Sequence, residues 1–358
     1  MKYSKILSII VPSYNMEAYL PKCLGSLVVD DLKLLQRLDV IVVNDGSKDR
    51  TSEIAHNYET KFPGVFRVID KQNGNYGSCV NAGLSLRKGV WVRVLDADDY
   101  VDTSIFAEFV SYLSVCDADV VISDYDYVNA DGKVLEKIRH NLSRNKFSLK
   151  DVPLGGFQLH AITYRSECFD KISYWQEEHI SYTDTQWRIL PMLGATKFCH
   201  FPHSVVRYLV GRDGQTMSSQ KFSKDFWMLE DATLALVKGF CNNINKVPLG
   251  QSSAIRRLIV RQICFIYEIM VFGFNNTRVR FELGRFDRQL KCIDESIYEE
   301  LAGQILIFGK LSAVDLIRSR HLLCGPIFSI ARLSRFYMVI LVRALKKIKY
   351  WAEHCERG

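Results

Sequence analysis

Apolar residues in the first third of the chain fall into short continuous runs at residues 6–12, 38–43, 65–70, 90–95 and 119–124, rich in Val, Ile and Leu. Runs of that length without alternation predict strands covered on both faces. Between them, 17–29, 50–62, 76–87 and 103–115 space their apolar residues three and four apart and predict helices, with Ser47 and Asp49 offering caps for the second. Strand and helix in alternation predict an α/β fold with a mostly parallel, doubly wound sheet. In such sheets ligands sit beyond the carboxyl ends of strands, so chemistry is expected in the residues just after each run.

Beyond residue 125 the pattern loosens. Asn129, Ala130, Asp131 and Gly132 predict a hairpin turn, followed by a strand over 157–165 and a helix over 184–193. From residue 222 the spacing is helical, most clearly over 254–270. The chain is therefore expected to divide into residues 1–221, with halves 1–115 and 116–221, and a helical region 222–358.

With 358 residues and 48% hydrophobic side chains, a sizeable core can be buried. The opening MKYSKILSIIVPSYN has a basic start and an apolar run, but the run stops at Pro12 without a small-residue cleavage site, so a first strand is expected rather than a signal peptide. No stretch offers the roughly 18–20 apolar residues a spanning helix needs. Ten cysteines without CxxC spacing carry no zinc or disulfide signal, and a reducing cytoplasm is the expected compartment. The net charge of +7 is uneven: residues 1–250 hold 29 Lys and Arg against 30 Asp and Glu, and residues 251–358 hold 18 against 10.

Three strand ends are polar: Pro12, Ser13, Tyr14, Asn15; Asn44, Asp45, Gly46, Ser47; and Asp96, Ala97, Asp98, Asp99. Carboxylates such as Asp96, Asp98 and Asp99 suit Mg²⁺ or Mn²⁺, although an acidic cluster also ends strands and caps helices. Asp45 could accept from a base N–H or a ribose hydroxyl, with Tyr14 stacking on a flat base; taken singly, each also reads as a turn residue and a packing aromatic. Lys71 to Ser78 form a polar loop with two glycines leading into a helix, which allows close backbone approach and favours anions. There is no GxGxxG after the first strand and no GxxxxGK[ST], which disfavours a dehydrogenase or an NTPase.

Together, IIVPSYN, VNDGSKDRT, KQNGNYGSCVNAG and VLDADDYVD, in that order, resemble the glycosyltransferase family 2 enzymes of GT-A fold over roughly residues 5–215. The resemblance implies a nucleotide, most often UDP, held through Pro12, Tyr14, Asn15, Glu17, Asp45, Lys71, Asn75, Gly77, Asp96 and Ala97, with Asp98 reaching a Mn²⁺ or Mg²⁺ ion. It also implies a catalytic carboxylate at the start of a later helix. The matching stretch is Ser181 to Trp187, where Thr183 replaces the family's usual first acid and Asp184 is the base candidate, with a helix cap as the competing reading. His160 is a candidate acceptor contact, or else a core histidine, and Arg212 a candidate phosphate contact, or else a turn residue. The expected activity is inverting transfer from a nucleotide-diphosphate sugar to a glycan or lipid-linked acceptor; the alternative is a nucleotide-sugar-binding scaffold without turnover.

From Leu316 to Ala352 there are eight Lys or Arg and no acid. Wound as a helix, Arg332, Arg335, Arg343, Lys346, Lys347 and Lys349 share one side, and Leu333, Tyr337, Ile340 and Leu341 share the other. A membrane-surface contact through residues 326–352 is expected, at the inner face of the plasma membrane; packing on protein, including a second subunit in a homodimer, is the alternative. Nucleic acid is not an expected partner, because no aromatics interleave the basic face.

Overall fold

The computed structural model describes residues 3–142, 147–153, 155–212, 224–247, 249–273, 276–304, 306–307 and 311–318. Residues 326–352, expected to meet a membrane, lie outside the described residues. No helix among the described residues is long and apolar enough to cross a membrane.

Four parallel strands form the first half of the sheet: β1 (Lys5–Ser13), β2 (Leu38–Asn44), β3 (Phe66–Asp70) and β4 (Gly89–Val94), in the order β3-β2-β1-β4. Every residue of β2 is buried, as an unalternating apolar run requires. The order reverses at β1, which lies between β2 and β4, the place where sheets of this kind bind ligands beyond the strand ends. The helices between these strands are α1 (Leu20–Ser26), α2 (Leu32–Leu35), α3 (Thr51–Lys61) and α4 (Asn75–Leu86). Helix α4 lies close against β1, since a Cβ on Gly83 would fall 2.6 Å from Ile10 Cγ2.

The sheet continues through β5 (Tyr100–Val101), β6 (Val120–Val128), β7 (Val134–Ile138), β8 (Ile162–Arg165) and β9 (Phe198–Leu209), with α5 (Thr103–Val115), α6 (Glu167–Ile172) and α7 (Asp184–Ile189) between them. Strand β8 is antiparallel to both β4 and β6, while β6 and β9 run parallel to each other. The carboxyl ends of β6 and β9 thus point to the same edge as those of β1, β2 and β4.

Three expected elements differ in extent. The helix expected over 17–29 is only α1, because residues 14–17 are drawn into loop-to-loop hydrogen bonds. The strand expected over 157–165 shrinks to β8, and Leu159–Ala161 form a 3₁₀ turn whose His160 carbonyl accepts from Arg93 Nη2 at 2.7 Å. The helix expected over 184–193 is α7 followed by a 3₁₀ turn at Leu190–Gly194, where Pro191 interrupts the α-helical bonding.

The chain parts into two compact units at Ile259/Val260, inside α9 (Leu249–Gly273), rather than at residue 221. Helix α8 (Phe226–Cys241) belongs to the first unit, with Leu229, Leu236, Val237 and Phe240 buried. The second unit contains α10 (Asn276–Ile293), α11 (Glu295–Glu300), the pair β10 (Leu306–Ile307) and β11 (Leu311–Ser312), and α12 (Ala313–Arg318). Within it, Phe286, Leu290 and Ile297 are buried, and the Arg318 guanidinium sits 3.5 Å from the Tyr298 ring centroid.

Candidate active site

The loops after β1 and β2 are stitched together. Asn15 N–H donates to Ser47 Oγ (3.0 Å) while Asn15 Oδ1 accepts from Lys48 N–H (2.8 Å). Met16 N–H donates to Thr51 Oγ1, Glu17 N–H to Asp49 Oδ2, and Arg50 N–H to Glu17 Oε2. Asn15 takes a left-handed backbone with φ of 54°, which Asn tolerates better than most residues. The side chains of Asn15 and Glu17 therefore hold the neighbouring loop, and Tyr14 is left 47% exposed beside half-buried Pro12.

Asp45, at the end of β2, is buried, and its Oδ1 accepts from Lys71 Nζ (2.7 Å) and from Gly74 N–H (3.0 Å). Lys71 also donates to Ser78 Oγ and to the Gln72 carbonyl. Its ammonium thus braces the loop that leads into α4. Asn75 begins that helix with φ of 64°, and one residue on, the Tyr76 hydroxyl donates to Asp96 Oδ1 at 2.9 Å. A single turn of chain thereby links the carboxylate of β2 to that of β4.

The acidic run after β4 divides into distinct roles. Asp96 is pushed up to about 7 by burial and next by the charge of Asp98, against the opposing Tyr76 hydrogen bond and Arg212 charge. Ala97 is buried between the two acids. Asp98 is ion-paired with Arg212 Nε, and the Arg212 guanidinium lies 5.5 Å from the Tyr19 ring centroid. Asp99 is 1% exposed and accepts from Leu209 N–H at 2.8 Å, tying the end of β4 to the end of β9; burial and the charges of Asp96 and Asp98 hold its carboxyl far above the usual range. The helix-capping role falls to Asp102, which accepts from Ile105 N–H at the start of α5.

Asp184 is the first residue of α7, with 42% of its side chain exposed and Arg188 Nη1 3.9 Å away. Surrounding protein raises its pKa, Arg188 opposing, and its charge in turn raises the pKa of both Asp96 and Tyr76. The three groups share one cleft. Thr183 occupies the cap position, yet its Oγ1 accepts from Gln176 Nε2 at 2.9 Å.

The segment before Asp184 is held across 95 residues of sequence by Asn81 of α4. Asn81 Oδ1 accepts from Gln176 N–H (3.0 Å), and its Nδ2 donates to the Gln176 carbonyl and to Glu178 Oε1 (both 2.8 Å). His179 N–H donates to the Gly74 carbonyl, and Glu177 N–H to Gln186 Oε1. A Cβ on Gly77 would lie 1.8 Å from the Glu177 carbonyl oxygen, so the close approach this glycine permits is made by protein backbone. Tyr76, Asn81 and Gln176 are site residues that the sequence reading assigned no role. Their partners are distant in sequence, and only the order of motifs pointed to the neighbourhood.

His160 proves to be a core residue, not an open contact. It is 7% exposed, its ring stacks on Tyr208 at 4.3 Å, and it meets Tyr125 edge-on at 4.3 Å. Burial, with the charges of Arg188 and Arg93, pushes it down to about 3, so it is neutral at physiological pH.

Residues 8–172 match the family model for glycosyl transferase family 2. The uncharacterized glycosyltransferase EpsJ of Bacillus subtilis is 39% identical over 101 residues, 28% of this chain and 28% of the relative. An uncharacterized glycosyltransferase of Mycoplasma pneumoniae, the MG060 homolog, is 29% identical over 222 residues, 59% of this chain and 71% of the relative. In solved structures, Staphylococcus aureus TarS 1–349 in complex with UDP-GlcNAc superimposes with a TM-score of 0.69 at 18% identity, covering 93% of this chain and 92% of that one. At that identity the likeness establishes the fold, which is GT-A-like with a helical C-terminal region. Residues 8–172 of this chain thus form a domain that matches glycosyl transferase family 2.

Proposed function

We propose that the chain transfers a sugar from a nucleotide-diphosphate donor to a hydroxyl of a glycan or lipid-linked acceptor in surface-polysaccharide synthesis, with inversion at the anomeric carbon. The observation that carries this reading is the convergence of Asp45, Asp96 and Asp98 on one sheet edge, linked through Gly74 and Tyr76, with Asp184 close enough for its charge to raise the pKa of Asp96. UDP-GlcNAc, bound by the structurally similar TarS, is the first donor to test.

In this reading Tyr14 stacks on the base and Asp45 accepts from it, with Asp96 near the ribose. Asp184 takes the proton of the acceptor hydroxyl as that oxygen attacks the anomeric carbon. The bond from the anomeric carbon to the diphosphate oxygen breaks, and its electron pair leaves with the nucleoside diphosphate. A carboxylate with a raised pKa suits this task near neutral pH. Arg212, at the mouth of the carboxylate pair, supplies a fork of donors for phosphate oxygens.

The donor set fits a divalent ion only in part. Among the described residues no three His, Cys, Asp or Glu side chains are grouped as ligands. Mg²⁺ and Mn²⁺ are commonly held by one or two carboxylates together with substrate phosphates, and Asp98 with Asp96 nearby meets that need. A bound ion would neutralise charge on the departing diphosphate. It would also compete with Arg212 for Asp98, so UDP measured by calorimetry should bind more tightly with Mn²⁺ than with EDTA in the wild type, and equally in both for Asp98→Asn.

The test of the whole reading is UDP release from UDP-GlcNAc and other UDP-, GDP- and dTDP-sugars, with Asp184→Asn as the control. Turnover in the wild type and its loss in the variant, with UDP binding retained, is the expected result. Equal turnover in both would remove Asp184 as the base.

A further inference from the structure

We propose that Tyr127 and Tyr208 form the platform on which the acceptor lies, and that the unit seated there is a sugar ring rather than a polyol phosphate. This rests on the glycosyl-transfer reading above and specifies its acceptor.

Tyr127 and Tyr208 are register partners on the parallel strands β6 and β9, one residue from the carboxyl end of each. Their rings meet edge-on at 5.4 Å, and both remain partly exposed. The bond from Leu209 N–H to Asp99 places Tyr208 directly beside the acidic run, and its phenol is held protonated by burial and by the charges of Asp99, Asp96 and Asp98. On the other side the patch is backed by His160, which stacks under Tyr208 and feels the charge of Arg188, the ion-pair neighbour of Asp184. The aromatic surface therefore lies at the sheet edge that carries the leaving-group carboxylate, beside which an acceptor hydroxyl must be presented.

The chemistry of that surface favours a ring. Aromatic faces and edges pack against the C–H groups of a pyranose, and a protonated phenol donates to a ring hydroxyl. A phosphodiester chain would instead call for guanidinium groups open to phosphate. The arginines around the patch are paired with carboxylates, Arg207 with Asp102 and Asp126, Arg139 with Asp126 and Arg188 with Asp184, and Arg212 is turned to Asp98 and the donor's diphosphate. His160, neutral and buried, adds no charge.

The experiment is saturation-transfer NMR on the full chain saturated with UDP, using a panel of methyl pyranosides (gluco, galacto, manno, rhamno and N-acetylgluco) and, separately, a ribitol-phosphate oligomer. UDP binding is measured first; its absence would count against the donor reading itself, independently of the platform. The expected result is transfer to ring protons of at least one pyranoside, reduced at least five-fold in Tyr208→Ala and in Tyr127→Ala, largely kept in Tyr208→Phe, and with UDP affinity unchanged in all three. The proposal is overturned if no pyranoside binds, if the ribitol-phosphate oligomer alone binds, or if pyranoside binding is the same in the alanine variants as in the wild type.

Discussion

The side proposed to hold the donor and the side proposed to hold the acceptor are built by different means. On the donor side the polar groups stand at the ends of adjacent parallel strands, and their bonds span modest stretches of chain: Asn15 to Lys48, Asp45 to Lys71, Asp45 to Gly74. On the acceptor side Gln176, in the segment that leads to Asp184, is held by Asn81 from 95 residues away, and the end of β9 is tied to Asp99 from 110 residues away. A site made by strand register leaves a motif in the sequence, because successive residues do successive jobs. One made by distant clamps leaves isolated polar residues that look like any others.

The sharpest probe of this difference is Asp184→Asn, expected to lower turnover by roughly 10²–10⁴-fold while UDP affinity is unchanged. Loss of both together, by calorimetry and UDP release, would show that the two sides are not separable. Next comes Asn81→Ala, which strands the buried N–H and carbonyl of Gln176 at a cost of about 1–3 kcal/mol per group. Turnover should fall about 10²-fold, more than UDP affinity does; an equal fall would place Asn81 with the donor side instead.

His160→Phe tests the aromatic backing through pH. His160 is held near 3 in the folded state against about 6.5 when unfolded, so the histidine's full contribution to stability is present above pH 6.5 and is lost as pH falls toward 3. By pH 5 that loss is about 2 kcal/mol. Thermal unfolding at pH 7 and pH 5 should show the wild type losing that much more than the variant, and matching losses would mean the ring is not buried neutral. The smallest effect is expected from Glu17→Gln, which replaces a charged acceptor for Arg50 N–H by a neutral one. It should cost about 1 kcal/mol or less in stability, with little change in turnover. A large loss of UDP affinity would return Glu17 to the nucleotide itself.

Much of the donor side was legible. The strand runs and the convergence of Asp45 with the Asp96–Asp99 run followed from apolar patterning, and the structure has both in place. Individual side chains were less so. Lys71 and Gly77 brace protein rather than standing open, and His160 turns out to be core, since the ring and backbone contacts that decide this come from segments far along the chain.

The sequence by itself determined the α/β alternation and the edge at which polar residues gather, because buried parallel strands demand continuous apolar runs and leave only their ends for polar chemistry. The tertiary structure alone decided that Asn81 would hold the segment before Asp184, that Asp99 would join two strand ends, and that the rings of Tyr127 and Tyr208 would meet. The physical reason is that hydrophobic periodicity is a property of neighbouring residues. The hydrogen bonds and ring contacts that aim a side chain are made between segments whose meeting no local pattern records.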